Sequence, residues 1–142
     1  MDLARHIASW SKDRSRKVGC VVVGPHGQEV RATGFNGFPR GVKDDVEERH
    51  QRPAKYDWTE HAERNAIYNA ARVGTAVENC TLYVTLFPCA GCARAIIQSG
   101  IGRVVTVPAP KDDPVWDKEF KIAKEMLHAA GVVLSYMDAA DA

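Results

Sequence analysis

Residues 61–108, HAERNAIYNAARVGTAVENCTLYVTLFPCAGCARAIIQSGIGRVVTVP, decide the fold. Apolar residues recur at helical spacing over about 61–73 and again over about 89–99. A short apolar run with β-branched residues follows each helix, at 80–86 and at 103–108, and predicts a strand. Helices that alternate with strands in this way predict a sheet with helices packed against it.

Flanking segments complete the predicted architecture, whose elements follow the order α-β-β-α-β-α-β-α-β. The additional elements are a helix at 2–13, strands at 17–24 and 28–34, a helix at about 116–129 and a strand at 132–137. We therefore predict an α/β fold with three α-β-α layers, in which a central mixed five-stranded sheet has helices on both faces. The length of 142 residues fits one domain covering residues 1–142.

A long connection at residues 35–58 separates the predicted hairpin from the next helix and is rich in glycine, proline and charge. Connections of this length are uncommon inside a compact domain and tend to carry function. The alternative is a disordered surface insertion. The aromatic residues Phe35, Phe38, Tyr56 and Trp58 favour a packed loop instead.

Composition narrows the class of ligand and the compartment. The formal net charge is +1, and no basic stripe is evident, so a nucleic acid is a poor first choice of partner, whereas a small phosphate needs only a few cations. No apolar run reaches the roughly 18–20 residues of a membrane span, and we expect neither a secretory signal nor a membrane anchor. The four cysteines lack the spacing of a disulfide framework, and we therefore predict a cytoplasmic protein.

Two short motifs carry the candidate chemistry, His61-Ala62-Glu63 and Pro88-Cys89-Ala90-Gly91-Cys92, each at the start of a predicted helix. Zinc prefers tetrahedral nitrogen and sulfur ligands, and a catalytic zinc uses three protein ligands and one water. Cys89 and Cys92 lie three residues apart and share one face of a helical turn, where the helix dipole favours thiolates. With His61 they predict a zinc site with an open fourth position, beside which Glu63 can take and deliver the proton of a water.

Other interpretations of the C-x-x-C pair are a redox motif or half of a structural zinc site. A structural site needs a fourth ligand nearby. Cys20 and Cys80 lie in apolar strand patterns, which favours core positions for both. The combination H-x-E…P-C-x-x-C is the signature of zinc deaminases, so the catalytic interpretation is favoured.

Four segments resemble the deoxycytidylate (dCMP) deaminase family of the zinc-dependent cytidine deaminase superfamily in order and spacing. They are SKD…VG (11–19), GFNGFPRG…DD (34–45), HAERNAI (61–67) and LFPCAGCAR…IIQSGI (86–101). The Asn-Gly-x-Pro loop and the Asn-Ala-Ile after His-Ala-Glu make the resemblance more specific than the zinc motif alone. It departs from the family at Glu60, a carboxylate next to His61, and at Cys20, where a small residue is usual.

The resemblance implies a cytidine-deaminase-like fold and a zinc-dependent hydrolase that turns dCMP into dUMP and ammonia. His61, Cys89 and Cys92 would bind Zn²⁺, zinc-bound hydroxide would attack C4 of cytosine, and Glu63 would protonate N3 and relay protons. Three alternatives stay open. One is a deaminase of another small aminated base or nucleotide, one is a nucleic-acid (tRNA adenosine-type) deaminase, and one is a zinc module without catalysis.

The resemblance also implies a nucleotide pocket lined by the Asn-Gly-x-Pro loop, in which Asn36 would hydrogen-bond the sugar or base. Trp116 stands in for an expected aromatic residue, and Arg40, Arg49 and Lys17 are candidates for the phosphate. The full set of candidate substrate-binding residues is Asn36, Gly37, Ala62, Pro88, Arg40, Arg49 and Trp116. Small deaminase domains commonly pair through apolar helix faces, so we expect a homo-oligomer with a small nucleotide as its substrate.

Overall fold

The computed structural model describes residues 1–137, and within them the strands form one five-stranded sheet in the order β2-β1-β3-β4-β5. The strands are β1 (Gly19–Val23), β2 (Val30–Phe35), β3 (Thr81–Val84), β4 (Arg103–Thr106) and β5 (Val133–Tyr136). The helices are α1 (Asp2–Ala8), α2 (Lys55–Trp58), α3 (Ala62–Val73), α4 (Ala90–Gln98) and α5 (Asp117–Ala129), and Glu47–His50 forms a 3₁₀ turn. The predicted single domain of residues 1–142 extends beyond the described residues and stays a prediction.

The sheet is mixed, because β1 pairs antiparallel with β2 and β3, whereas β3, β4 and β5 run parallel. Parallel strands are joined by right-handed crossovers, and this places α3, α4 and α5 on the same face of the sheet. Buried residues of these helices share one core cluster with strand residues such as Leu82 and Val104. On the opposite face, Ala4 and Ile7 of α1 pack on Val21. The predicted mixed sheet with helices on both faces is confirmed.

At two strand glycines, the backbone of a helix lies directly against the backbone of the strand. A Cβ atom at Gly34 would lie 2.4 Å from the Ala62 carbonyl oxygen and from the Ala66 nitrogen, both in α3. On the other face, a Cβ at Gly19 would lie 2.0 Å from the Ala4 carbonyl oxygen in α1. No side chain fits at these distances, so the first turn of α3 is fixed directly against β2.

The first helix ends at Ala8 and is therefore shorter than the predicted helix at 2–13. Ser11 is buried, and its hydroxyl donates to the Asn36 carbonyl at 2.7 Å. The Asp13 carboxylate accepts hydrogen bonds from the backbone N–H groups of Ser15 and Arg16, at 2.8 and 3.0 Å. Such local side-chain bonds compete with the helix, and residues 9–18 form a loop that runs toward the start of α3.

The 35–58 connection is packed against this loop and contains α2 and the 3₁₀ turn, which the sequence pattern missed. Lys55 pairs with Asp13 at 2.8 Å, and both side chains are almost completely buried. Lys12 pairs with Asp44 at 2.6 Å on the surface. The structure therefore shows a packed loop rather than a loose insertion. Among residues 1–137, none of the helices combines the length and apolar character that crossing a membrane requires.

Candidate active site

Three ligand atoms meet where α3 and α4 begin. His61 is the N-cap of α3, Cys89 is the N-cap of α4, and Cys92 lies in the first turn of α4. The His61 Nδ1 atom is 3.5 Å from the Sγ atoms of both cysteines, and the three ligand atoms all lie within 4.8 Å of one another. Ordinary Zn–N and Zn–S bonds at a tetrahedral angle give an N···S distance of about 3.6 Å. The donor set therefore fits zinc in type and in spacing.

The charge state of this cluster follows from its hydrogen bonds. The bond from Cys92 and the one from His61 outweigh burial and lower the pKa of Cys89 to about 3. The same Cys92–Cys89 bond, together with burial, raises the pKa of Cys92. Burial lowers the pKa of His61, but the bond to Cys89 and the charge of Glu63 raise it by more. One thiolate is therefore already formed at neutral pH, which is the form that metals bind.

Glu63 lies in the first turn of α3, and only 4% of its surface is exposed. Burial raises the pKa of this carboxyl and outweighs the opposing charge of His61. A raised pKa brings this carboxyl closer to the range in which a general acid–base group both accepts and releases a proton.

A cavity of about 320 Å³ opens beside the cluster, which is the size of a small-molecule site. The Trp116 ring stands edge-on to the His61 ring, with centroids 5.6 Å apart, and the Tyr56 ring lies 5.6 Å from Trp116 on the other side. The cavity thus has an aromatic wall. The predicted site residues that line it are Asn36, His61, Ala62, Glu63, Cys89 and Trp116.

Asn36 is buried and its side chain is engaged by protein groups. Its Oδ1 accepts a hydrogen bond from the Val18 backbone at 2.8 Å, and its Nδ2 donates to the Arg16 carbonyl at 2.9 Å. Nδ2 also lies 3.4 Å from the Asp13 carboxylate. Asn36 therefore holds the wall of the cavity in shape and leaves one lone pair of Oδ1 for a ligand.

Five candidates for contact with the substrate or its phosphate lie outside the lining of this cavity: Lys17, Gly37, Arg40, Arg49 and Pro88. The Arg40 guanidinium contacts the Asn69 side chain on α3, and Gly37 and Arg40 line a neighbouring cavity. Arg49 lies over the Trp58 ring at 4.1 Å and donates to the Lys43 carbonyl. The structure thus does not bring Arg40 and Arg49 to the cavity.

Different cations line the cavity, and the sequence analysis missed them: Arg16, Arg52 and Lys55. Lys55 is neutralised by Asp13, whereas Arg16 is 3.6 Å from Asp113. Arg16 comes from the 9–18 loop and the other two from the 35–58 connection, so no periodic pattern relates all three. The only available signal was that Arg16 lies inside the 11–19 segment that carries the resemblance.

A His-Cys-Cys zinc site with a buried glutamate, built at two helix starts on a mixed sheet, defines a zinc-dependent deaminase. Residues 1–107 match the sequence model described as the cytidine and deoxycytidylate deaminase zinc-binding region, and the chain belongs to this family. The predicted deaminase activity and the Zn²⁺ cofactor are thereby confirmed.

Individual relatives agree with this assignment. The chain is 39% identical over 137 residues to a protein of Aliivibrio fischeri named an uncharacterised deaminase in the luxG 3′ region, covering 95% of this chain and 88% of that protein. It is 37% identical over 130 residues to the deoxycytidylate deaminase of Homo sapiens, covering 88% and 70%. The apo crystal structure of the dCMP deaminase from cyanophage S-TIM5 is similar, with 25% identity, a TM-score of 0.74 and coverage of 96% and 92%.

Proposed function

We propose that this protein deaminates a cytosine nucleotide by hydrolysis, converting dCMP to dUMP and ammonia. The observation that carries the proposal is the buried Glu63 beside three zinc-type ligand atoms, in a cavity whose lining includes arginine and lysine side chains. A relative with 37% identity is named for this activity. Unlike a catalytic site, a structural zinc site has no use for a buried carboxyl with a raised pKa.

In this proposal His61, Cys89 and Cys92 would hold the zinc, which would lower the pKa of a bound water and so make it a nucleophile near neutral pH. As the water oxygen bonds to C4, Glu63 would take one of its protons and deliver it to N3 of the cytosine ring. Glu63 would then carry the second water proton to the amine, which leaves as ammonia when the C4–N bond breaks. Its burial keeps bulk water from exchanging that proton. Because the carboxyl has a raised pKa, each of the two transfers has a small energetic cost.

The base lies between the aromatic wall and the cluster. Trp116 stands edge-on to His61 and closes one side of the cavity. The Oδ1 atom of Asn36 offers an acceptor to a sugar hydroxyl. We place the 5′ substituent near the cations that line the same cavity.

We assign the phosphate to Arg16 and Arg52 in place of the predicted Arg40, Arg49 and Lys17. Both line the cavity. Within residues 1–137 the Arg52 guanidinium forms no ion pair, and the single ion pair of Arg16, with Asp113, is long at 3.6 Å. Both guanidinium groups can therefore donate to a phosphate, and arginine suits that geometry.

The phosphate assignment is tested by comparing dCMP with deoxycytidine. Arg52→Gln and Arg16→Gln should each raise KM for dCMP about 10-fold or more, because a charge-assisted hydrogen bond contributes about 1.5–3 kcal/mol. KM for deoxycytidine should stay unchanged. Arg49→Gln is the matched control, since Arg49 lies over Trp58 outside the cavity. Equal effects of an arginine variant on both substrates would remove that arginine from the phosphate site.

We further propose a homo-oligomer in a reducing cytoplasm. Val30 on β2 and Val133 and Tyr136 on β5 are exposed by 46–51% on the two outer strands of the sheet, and exposed apolar edges favour association. None of the four cysteines forms a disulfide within residues 1–137, which fits a reducing compartment. Light scattering should give a mass that is a multiple of 15.6 kDa, and a monomer mass at every concentration would contradict the assembly.

A further inference from the structure

Glu60 precedes the ligand His61, and the family resemblance gives it no role. Its carboxylate Oε1 accepts a hydrogen bond from the backbone N–H of His61 at 2.9 Å. The same oxygen pairs with Nη2 of Arg64, one turn further along α3, at 2.6 Å. One carboxylate therefore binds both the backbone of a zinc ligand and the first turn of the helix that carries Glu63.

The Glu60 backbone is in turn held by the backbone of Gly37. Its N–H donates to the Gly37 carbonyl at 2.8 Å, and its carbonyl accepts from the Gly37 N–H at 3.1 Å. Gly37 directly follows Asn36, whose side chain shapes the wall of the cavity. The position of His61 is thus linked through Glu60 to the loop that faces the substrate.

Arg64 reaches the second ligand segment. Its Nη1 lies 3.5 Å from the position that a Gly91 Cβ would occupy, and the Cys89 Sγ lies 3.7 Å from the same position. The Arg64 Nε is buried and has no hydrogen-bond partner within residues 1–137. The guanidinium therefore lies between the two segments that supply the ligands, next to Gly91.

We propose that Glu60 and Arg64 form a clamp that sets the spacing between His61 and the Cys89–Cys92 pair. Both are positioning residues, because they act on the ligands and touch neither substrate nor the reacting atoms. Glu60 holds the His61 backbone and orients Arg64, and Arg64 spans to Gly91. The clamp requires the planar fork of arginine, since one nitrogen faces Glu60 while another faces Gly91.

The inference rests on the zinc site of the proposed function, but its test needs no substrate. Zinc affinity is measured by competition with a chromophoric chelator, and the visible spectrum of the Co²⁺-substituted protein reports ligand geometry. Glu60→Gln and Arg64→Met should each weaken zinc binding about 10–100-fold, as losses of groups that orient metal ligands do, and should shift the Co²⁺ bands. The double variant should be no weaker than the worse single variant, because both remove one clamp.

Two further variants separate the clamp from charge and from general stability. Arg64→Lys keeps the charge but loses the fork, and it should lose as much affinity as Arg64→Met. Lys121→Met breaks a pair of the same i, i+4 spacing with Asp117, exposed on α5, and should leave zinc affinity unchanged. Full affinity in Arg64→Lys, additive single effects, or single variants within about two-fold of the parent protein would each overturn the clamp. If the parent protein binds zinc tightly, with spectra of an intact site, but does not turn over dCMP, the result counts against the proposed function and not against the clamp.

Discussion

The Glu63 carboxyl is buried, and burial raises its pKa although His61 lies two residues before it. Burying a carboxyl lowers the stability of the fold, because the charged form loses its hydration. The cost is understandable if the group must alternate between its charged and protonated forms during each turnover. Glu63 is therefore the residue on which the proposed chemistry depends most.

Replacing Glu63 by alanine tests that role. We expect Glu63→Ala to reduce kcat about 10²–10⁴-fold, the usual contribution of a general acid–base group. Zinc content should stay at the parent level, because Glu63 is not among the three ligand atoms. Turnover by the zinc-loaded variant at close to the parent rate would remove Glu63 from the mechanism.

At the scale of the elements, the site depends on how closely α3 approaches the sheet. Gly34→Ala introduces a Cβ that would lie 2.4 Å from backbone atoms of Ala62 and Ala66. We expect it to lower stability by about 1–3 kcal/mol and also to lower kcat, because the shift carries the start of α3 and its catalytic carboxyl away from the cavity. Urea unfolding and steady-state kinetics measure the two effects.

Gly19→Ala is the matched control, since its Cβ would lie 2.0 Å from the Ala4 carbonyl on α1, across the sheet from the site. It should lower stability to a similar extent and leave kcat of the folded enzyme unchanged. Equal losses of kcat in the two variants would show that the close approach of α3 has no special part in the activity.

The loop at 9–18 depends on a buried ion pair. Burial raises the pKa of Asp13, but the hydrogen bonds from Lys55 and from the backbone of Arg16 and Ser15 lower it from 3.8 to about 2. A carboxyl with a lowered pKa stabilises the fold above its ordinary pKa, and this contribution is lost as the pH falls toward 2. Solvent in the adjoining cavities screens the pair, so we estimate its contribution at about 1 kcal/mol.

Asp13→Asn should therefore lower the free energy of unfolding by about 1 kcal/mol at pH 7, and the difference from the parent protein should shrink between pH 4 and pH 2. Urea unfolding at several pH values measures it. Asp117→Asn, which breaks the exposed pair with Lys121, should have a smaller effect. A difference between Asp13→Asn and the parent protein that is constant over this pH range would contradict the assigned role of the pair.

The sequence predicted best those elements in which apolar residues recur at regular spacing over several turns. The predicted helices at about 61–73 and 89–99 match α3 and α4 to within a residue at each end. The two motifs also identified three side chains, His61, Cys89 and Cys92, that meet at the helix starts. The short α2 has only four residues, too few for a period. The predicted helix at 2–13 was too long, because Ser11 forms its hydrogen bond with Asn36, a contact between distant positions that periodicity cannot reveal.

The cations that line the cavity were harder to predict for the same reason. Arg40 and Arg49 lie in or near the segment that resembles the family, and that proximity was the basis for choosing them. The cavity is instead lined by Arg16 and Arg52, which two different loops bring together. Their proximity depends on the Asp13 contacts that hold both loops in place, and no spacing within one segment encodes such a contact.

Across the whole molecule, one side of the sheet carries the chemistry. Helices α3, α4 and α5 lie together on that side and supply the ligands, the buried carboxyl and, just before α5, the aromatic wall. Loops at one edge of the sheet, before β1 and after β2, β3 and β4, close the cavity together with the 35–58 connection. With a net charge of +1, the protein has no strong overall field, so recognition of an anion depends on the few arginines inside the cavity.

The most direct test is a substrate comparison. The zinc-loaded protein is incubated separately with dCMP, CMP, deoxycytidine, cytidine and cytosine, and ammonia release is followed, with Glu63→Ala run in parallel. We expect dCMP to turn over well ahead of the other four compounds, and we expect the variant to release almost no ammonia. Absence of turnover on all five compounds by fully zinc-loaded protein would contradict the proposed substrate.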